Sequence, residues 1–283
     1  MIAVLLGLAT ALCWGGADVF ARYTSRALSA QGALLGMMIA SLTGLTLWQT
    51  LLGDGLPGWP SWWTLASAVL AACSMLLFYE AMRRGPVSLV SPAVGAYPAW
   101  TVLASILLGA RPGWASIAAM AATMGGVLMV ARFAATEPDP EESPNRRTTL
   151  MLALLASAMF GALVLVGQQA VRHDGALPVI WWGRATAAVL LILVLLAGPK
   201  PARPALRPML TAGLQGCLDT GGLIFLFSAG TGMEGALATV ASSSFGVVTV
   251  LLARLLYKER IATGQGLGIA AVFAGVTALA ALG

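Results

Sequence analysis

Two carboxylates, Asp18 and Asp219, lie inside long apolar runs of this chain, where a charge is costly and needs a partner or a task. Asp18 stands one helical turn before Arg22, so an i, i+4 ion pair near an interface would account for it structurally. Asp219 has no opposite charge nearby in sequence. It is the candidate for taking up a proton or binding an ammonium group, with Arg184 of the preceding apolar run as the structural alternative. Glu80 is close to Arg83 and Arg84, and surface pairing explains it. Other residues offer aromatic faces and hydroxyls instead of charge. Tyr97-Pro98-Ala99-Trp100 puts two rings with polar tips beside a proline that cannot donate its backbone hydrogen bond. Ser242, Ser243 and Ser244 are successive, so on a helix at least one faces inward; close helix packing is the competing reading. Trp14 precedes Gly15 and Gly16, which permit close packing or bending. Tyr79 and the pair Gln168/Gln169 fall near the ends of apolar runs, and Trp181-Trp182 reads as an interfacial belt.

Bond-making chemistry is not what these residues suggest. The chain has no GxxxxGK[ST] phosphate loop, no HExxH and no GxSxG. Cys13, Cys73 and Cys217 lie in apolar runs without CxxC spacing, and the only histidine, His173, sits in a polar joint. No disulfide, metal, cofactor or enzymatic activity is therefore expected. Net charge is +5, but the basic residues fall between apolar runs, as topology signals do, so nucleic acid is not an expected partner.

The elements that must position these side chains are membrane spans. Of 283 residues, 59% are hydrophobic and 10% charged. A spanning helix takes about 20 apolar residues. The chain divides into ten: Ile2–Ala21, Gly32–Leu52, Ser61–Met82, Val87–Leu108, Trp114–Arg132, Thr149–Ala170, Pro178–Ala197, Pro208–Ser228, Gly235–Leu256 and Thr263–Leu282. No basic region precedes the first run, so it reads as a retained helix rather than a cleaved signal. Residues 133–148, with three prolines, four acids and two arginines, form a polar linker between halves 1–132 and 149–283.

The halves are related. A shift of 148 residues superposes Ala81 on Ala229, Leu89 on Leu237 and Ala93 on Ala241. The run Thr101 to Leu103 falls on Thr249 to Leu251, and Leu107-Leu108 on Leu255-Leu256, giving eight identities over the 33 positions from Leu76 to Leu108. Pro60 and Pro208, each just before a span, also coincide, as do Tyr97 and Phe245 as aromatics. Thirteen Lys and Arg residues lie in alternate joints on one side, and only Arg111 and Arg172 in joints on the other. The positive-inside rule then places both termini outside the cytoplasm. With five spans in each half, the repeats cross in opposite senses. The expected fold class is an all-α membrane protein of ten transmembrane helices in two inverted five-helix repeats.

At this point the chain resembles the drug/metabolite transporter superfamily, in its ten-helix EamA-type branch. The resemblance rests on ALCWGGADV in the first span, on FYEAMRRGPVSLVSPAVGAYPAWTVLASILLGARP at 78–112, and on LLYKERIATGQGLGIAAVFAG within 225–275. Two turns depart from the pattern: Ala110-Arg111-Pro112 where Gly-Glu-Arg is frequent, and Met233-Glu234-Gly235 where Gly-Pro is. The resemblance implies a secondary transporter in a bacterial inner membrane that exports a small organic metabolite by alternating access. Neutral or aromatic amino acids are the first expectation, because the proposed cavity mixes aromatic faces with hydroxyls and few charges. Drugs, sugars or nucleotide precursors are the alternatives within the family, and a non-transporting scaffold the alternative outside it. The expected solute contacts are Trp14, Tyr79, Tyr97, Trp100, Ser242, Ser243 and Ser244, with Asp219 and Asp18 for coupling or charge recognition. The expected partners are the solute and the lipid bilayer, and ten helices can enclose a cavity as a monomer.

Overall fold

A helix of 51 residues, α1 (Ile2–Leu52), opens the computed structural model of the chain. At about 1.5 Å per residue it would be more than twice as long as the roughly 30 Å hydrocarbon layer. One residue resolves the mismatch. Ser29 leaves the helical conformation (φ 69°, ψ 163°), and its hydroxyl accepts the Gly32 amide at 3.2 Å, capping the second arm. α1 is thus two spans, residues 2–28 and 30–52, without the ten-residue joint expected between them. The structure describes residues 2–53, 55–107, 109, 113–133, 145–197, 205–228, 238, 241–242, 244–258 and 261–282.

The remaining helices are α2 (Trp62–Arg84), α3 (Val87–Gly95), α4 (Tyr97–Leu107), α5 (Trp114–Phe133), α6 (Arg146–Asp174), α7 (Ala176–Ala197), α8 (Leu206–Ser228), α9 (Phe245–Tyr257) and α10 (Thr263–Leu282). All regular structure among the described residues is helical. Five helices are individually long and apolar enough to cross a membrane: α1, α2, α6, α7 and α8. Shorter apolar stretches lie in α5, α9 and α10. α3 and α4 are nine and eleven residues long and make a crossing only together. The expected single span Val87–Leu108 is therefore interrupted, at Ala96. The helices α2 and α6 run past their expected ends, with Arg83 and Arg84 in the last turn of α2 and Arg172 and His173 in the last turn of α6. Cations are favourable at a helix C-terminus, so a basic residue does not by itself mark a joint.

Packing follows the repeat. Both arms of α1 lie along α8, α2 lies along α6, and α5 pairs with α10. The shift of 148 residues relates α2 to α8, so the α2–α6 and α1–α8 interfaces are mates. α5 and α10 meet where neither side has a side chain. A methyl group on Gly126 would come within 2.7 Å of the Gly268 carbonyl, and one on Gly268 within 2.8 Å of the Gly126 carbonyl. Lipid-embedded helices have little hydrophobic drive toward one another, and such close backbone contact supplies dispersion instead. Large apolar side chains point outward, among them Leu52, Leu196 and Leu255, as suits a lipid-facing surface. Trp59 stacks on Trp182 at 5.9 Å, and Trp59, Trp62 and Trp114 are exposed at the end opposite the basic joints. Trp181 and Trp182, expected to form an interfacial belt, are partly buried beside them, with Trp182 Nε1 bonded to the Gly58 carbonyl at 2.9 Å.

Candidate functional site

Polar side chains gather where α1, α8, α9 and the α3–α4 break come together. Trp14 leans on α8 because Gly222 leaves room: a methyl there would sit 2.6 Å from Trp14 Nε1. The indole donates to the Asp219 carbonyl at 3.3 Å, and Thr10 Oγ1 reaches the Gly222 carbonyl at 3.1 Å. The Trp14 ring also meets Phe245 edge-on, centroids 6.0 Å apart. Phe245 is the first residue of α9, and Ser244 before it donates to the Ala241 carbonyl at 2.6 Å.

The break between α3 and α4 has a local cause. Pro98 has no N–H to give to a continuing helix, and it is tolerated in the first turn of a new one. Ala96 accordingly takes φ −74°, ψ 3°, and the Ala99 amide bonds back to it at 3.0 Å. This break displays Trp100 near the start of α4. Trp100 Nε1 is buried and bonded to no other group among the described residues. Indole N–H groups usually find a partner when buried, so this one is a donor available to a ligand.

The two acids have exchanged roles relative to the sequence reading. Asp219 is paired: Arg184 of α7 donates to its Oδ2, and both side chains are about one-tenth exposed (10% and 11%). Arg184 also points Nη1 at Met38 Sδ, 3.6 Å away. Asp18 makes no ion pair among the described residues. Its Oδ2 faces the Thr249 hydroxyl of α9 at 3.2 Å. The expected partner, Arg22, is turned instead over the Tyr257 ring, 5.0 Å from its centroid. Residues i and i+4 share a helix face, but a ring offering a cation–π contact draws the guanidinium aside. Glu80 pairs with Arg83 at 2.6 Å and Arg84 at 2.5 Å, as its position suggested.

Toward the basic joints the bundle is closed by a chain of bonds. Thr24 Oγ1 donates to Gln215 Oε1 at 3.1 Å, Gln215 Nε2 to the Tyr79 hydroxyl, and Tyr79 to Met37 Sδ at 2.8 Å. Tyr79 is 1% exposed, so this candidate solute contact is a fully engaged core residue in the conformation described. Among the other candidates, Tyr97 and Trp100 are partly buried and Ser242 is buried; Ser243 lies outside the described residues, as does the side chain of Gln168. Thr10, Gln215, Phe245 and Thr249 belong to the cluster and were not singled out in sequence. Phe245 and Thr249 did register as repeat mates of Tyr97 and Thr101. A lateral groove of about 490 Å³ opens between α1, α8 and α9, lined by Phe20, Tyr23, Arg207 and Thr211 among others. None of the candidate solute contacts lines it.

The model of the EamA-like transporter family matches residues 1–132 and 147–281. The chain belongs to the EamA-like transporter family. The matched segments are the two five-span repeats, so the EamA assignment covers both interfaces just described. One solved structure, described only as the crystal structure of a protein, is similar over 98% of this chain and 95% of its own, with TM-score 0.68 at 16% identity; that likeness concerns the fold alone. No curated protein matches the sequence. This EamA-like chain is a multi-pass membrane transporter for small molecules and not an enzyme. A polar group in bare hydrocarbon costs several kcal/mol, and the aromatic and hydroxyl cluster offers hydrogen-bond partners that lipid does not.

Proposed function

We propose that this transporter exports neutral amino acids with apolar or aromatic side chains across a bacterial inner membrane. The two repeats run in opposite senses, with the basic joints in the cytoplasm and both termini in the periplasm. The chain works as a monomer. Trp14, Tyr97, Trp100, Ser242, Ser243 and Ser244 contact the solute, and the halves rock around it in alternating access. Tyr79 closes the cytoplasmic side together with Gln215.

The observation that carries this reading is the buried Trp100 Nε1, an unbonded donor on a helix broken at mid-span. It suits one carboxylate or carbonyl oxygen, while the Trp14 and Phe245 rings 6.0 Å apart suit an apolar side chain. Counterflow of labelled phenylalanine or leucine into proteoliposomes tests it. Wild type should exchange these solutes, and Trp100→Ala or Ser244→Leu should reduce exchange at least tenfold, about 1.4 kcal/mol in the rate-limiting barrier. Undiminished exchange in both variants removes the site assignment. Exchange of sugars or nucleosides in preference to amino acids removes the substrate class.

A further inference from the structure

The lateral groove between α1, α8 and α9 has a polar rim and apolar walls. Arg207 is the second residue of α8 and Tyr257 the last of α9, so both stand at helix ends beside the basic joints. Tyr23 of α1 completes the rim. Phe20 and Leu210 lie three residues in from Tyr23 and Arg207 on their own helices, about one turn deeper. With Leu256 they line a space of about 490 Å³ that opens sideways, on the surface where Leu210 and Leu256 are exposed. One wall is fixed twice. The Tyr257 hydroxyl donates to the Val19 carbonyl at 2.8 Å, and the Arg22 guanidinium lies 5.0 Å from the centroid of its ring. Tyr257 cannot turn to fill the groove without giving up both contacts.

Charge at the rim is unbalanced. Arg207 is the one charged residue of the lining, and its side chain makes no ion pair among the described residues. It stands in the first turn of α8, where the helix dipole is already positive and no acidic residue accompanies it. An anion arriving from outside would answer both charges. The Tyr23 phenol, 42% exposed, brings an O–H donor to the same rim from α1. A free anion would leave the apolar walls uncovered, and a hydrocarbon chain alone would leave Arg207 unanswered. A phosphate carried on a hydrocarbon chain meets both demands, and a basic pocket between spanning helices at a membrane surface is where such headgroups bind.

We propose that the groove is a binding site for an anionic glycerophospholipid, with its phosphate at Arg207 and Tyr23 and one acyl chain over Phe20, Leu210 and Leu256. A zwitterionic head is the poorer ligand, because it brings an ammonium group up to the Arg207 guanidinium. The bound lipid touches all three helices at once. It leaves the solute cluster free, so the site does not depend on which solute is carried or on which face of the membrane the basic joints lie.

Native mass spectrometry of the purified full chain in detergent tests this, with phosphatidylglycerol and phosphatidylethanolamine of identical chains as the two probes. Wild type should hold one phosphatidylglycerol about fivefold more tightly than phosphatidylethanolamine, the worth of one basic residue toward an anionic lipid. Arg207→Gln should bring the two lipids level, and Arg207→Lys should keep the preference. Leu210→Trp fills the groove and should release both lipids. Arg254→Gln, a change to an exposed cation of α9 outside the lining, should alter neither. Phosphatidylglycerol should also raise the thermal midpoint of wild type, and inorganic phosphate at equal concentration should not. The proposal is overturned by equal retention of the two lipids in wild type, by a preference that survives Arg207→Gln, or by retention unchanged in Leu210→Trp. Stabilisation by inorganic phosphate equal to that by the lipid overturns it as well, as does a lipid-free dimer in place of the lipid-bound monomer.

Discussion

The two repeat-related interfaces, α2 with α6 and α1 with α8, hold together by different means. α2 and α6 lie along one another, and Met75, Leu76 and Leu77 of the one and Leu150, Ala153 and Ala156 of the other belong to the same core cluster. Their outer end is tied by Asp174, whose Oδ2 accepts the Ser61 amide at 2.8 Å and the Thr64 hydroxyl at 2.5 Å. The α1–α8 interface is instead bonded at intervals through polar groups: Thr10 to Gly222, Trp14 to Asp219, Thr24 to Gln215 and Ser41 to Gly216. Its corresponding end opens into the lateral groove beside Arg207. An interface of apolar and small side chains, clasped at one end, suits a fixed pair. Discrete hydrogen bonds can be exchanged one set for another, which suits a pair that slides or opens. On the alternating-access reading proposed above, α1–α8 is assigned as the working interface and α2–α6 as the rigid one.

The largest effect should come from unbalancing the α7–α8 ion pair that flanks the working interface. Asp219→Ala leaves Arg184 buried without its counter-ion and should cost about 3–5 kcal/mol of stability, read as a fall in thermal midpoint in detergent. Replacing both partners by leucine should recover most of that loss, since the pair's desolvation is then no longer required. A double variant as unstable as Asp219→Ala would mean that the pair organises α7 and α8 beyond its charge balance.

The rigid interface should answer to volume rather than charge. Ala156 is fully buried on α6, and Ala156→Leu should cost about 1–3 kcal/mol by overpacking. Because the contact is made in every state of a fixed pair, the counterflow rate of the folded fraction should stay at the wild-type value. A variant that folds well but transports slowly would reverse the assignment of the two interfaces. The clasp should matter less. Asp174→Ala removes an acceptor from the first turn of α2 and should cost about 1 kcal/mol, with Asp174→Asn intermediate.

Sequence carried this comparison only part of the way. Apolar runs and the alternation of basic joints were enough for ten spans and two halves, since lipid imposes length and composition residue by residue. The turn at Ser29 left no such trace: one serine with positive φ, capped by its own hydroxyl, replaces a joint and changes no average property. Pro98 marked a weak point because proline lacks a donor wherever it stands, yet Val87–Leu108 still read as one span. Partnerships were the least legible part. Asp18 and Thr249 are separated by 231 residues, so a helix-face rule proposed Arg22 where the fold supplies Thr249; Arg184, 35 residues from Asp219, was named only as the alternative to a functional role. Trp100 could be named from its type and depth, but its unbonded Nε1 is a property of the packing around it.

The smallest effect on stability should be the most informative about motion. Thr10 Oγ1 divides its hydrogen between the Leu6 carbonyl of its own helix at 2.9 Å and the Gly222 carbonyl of α8 at 3.1 Å. Thr10→Val keeps the shape and removes the hydrogen, and a net cost of about 0.5 kcal/mol is expected for so divided a bond. Its effect on exchange should be larger than its effect on melting. If α1 and α8 part during the cycle, the Gly222 bond is broken in one state and made in the other, so its loss biases the equilibrium between them. Counterflow should then speed up where opening limits the cycle, with the thermal midpoint nearly unmoved. Equal counterflow rates in Thr10→Val and wild type would mean that α1 and α8 keep their contact throughout, and the mobile interface would have to be sought between α1 and α9, where Trp14 meets Phe245.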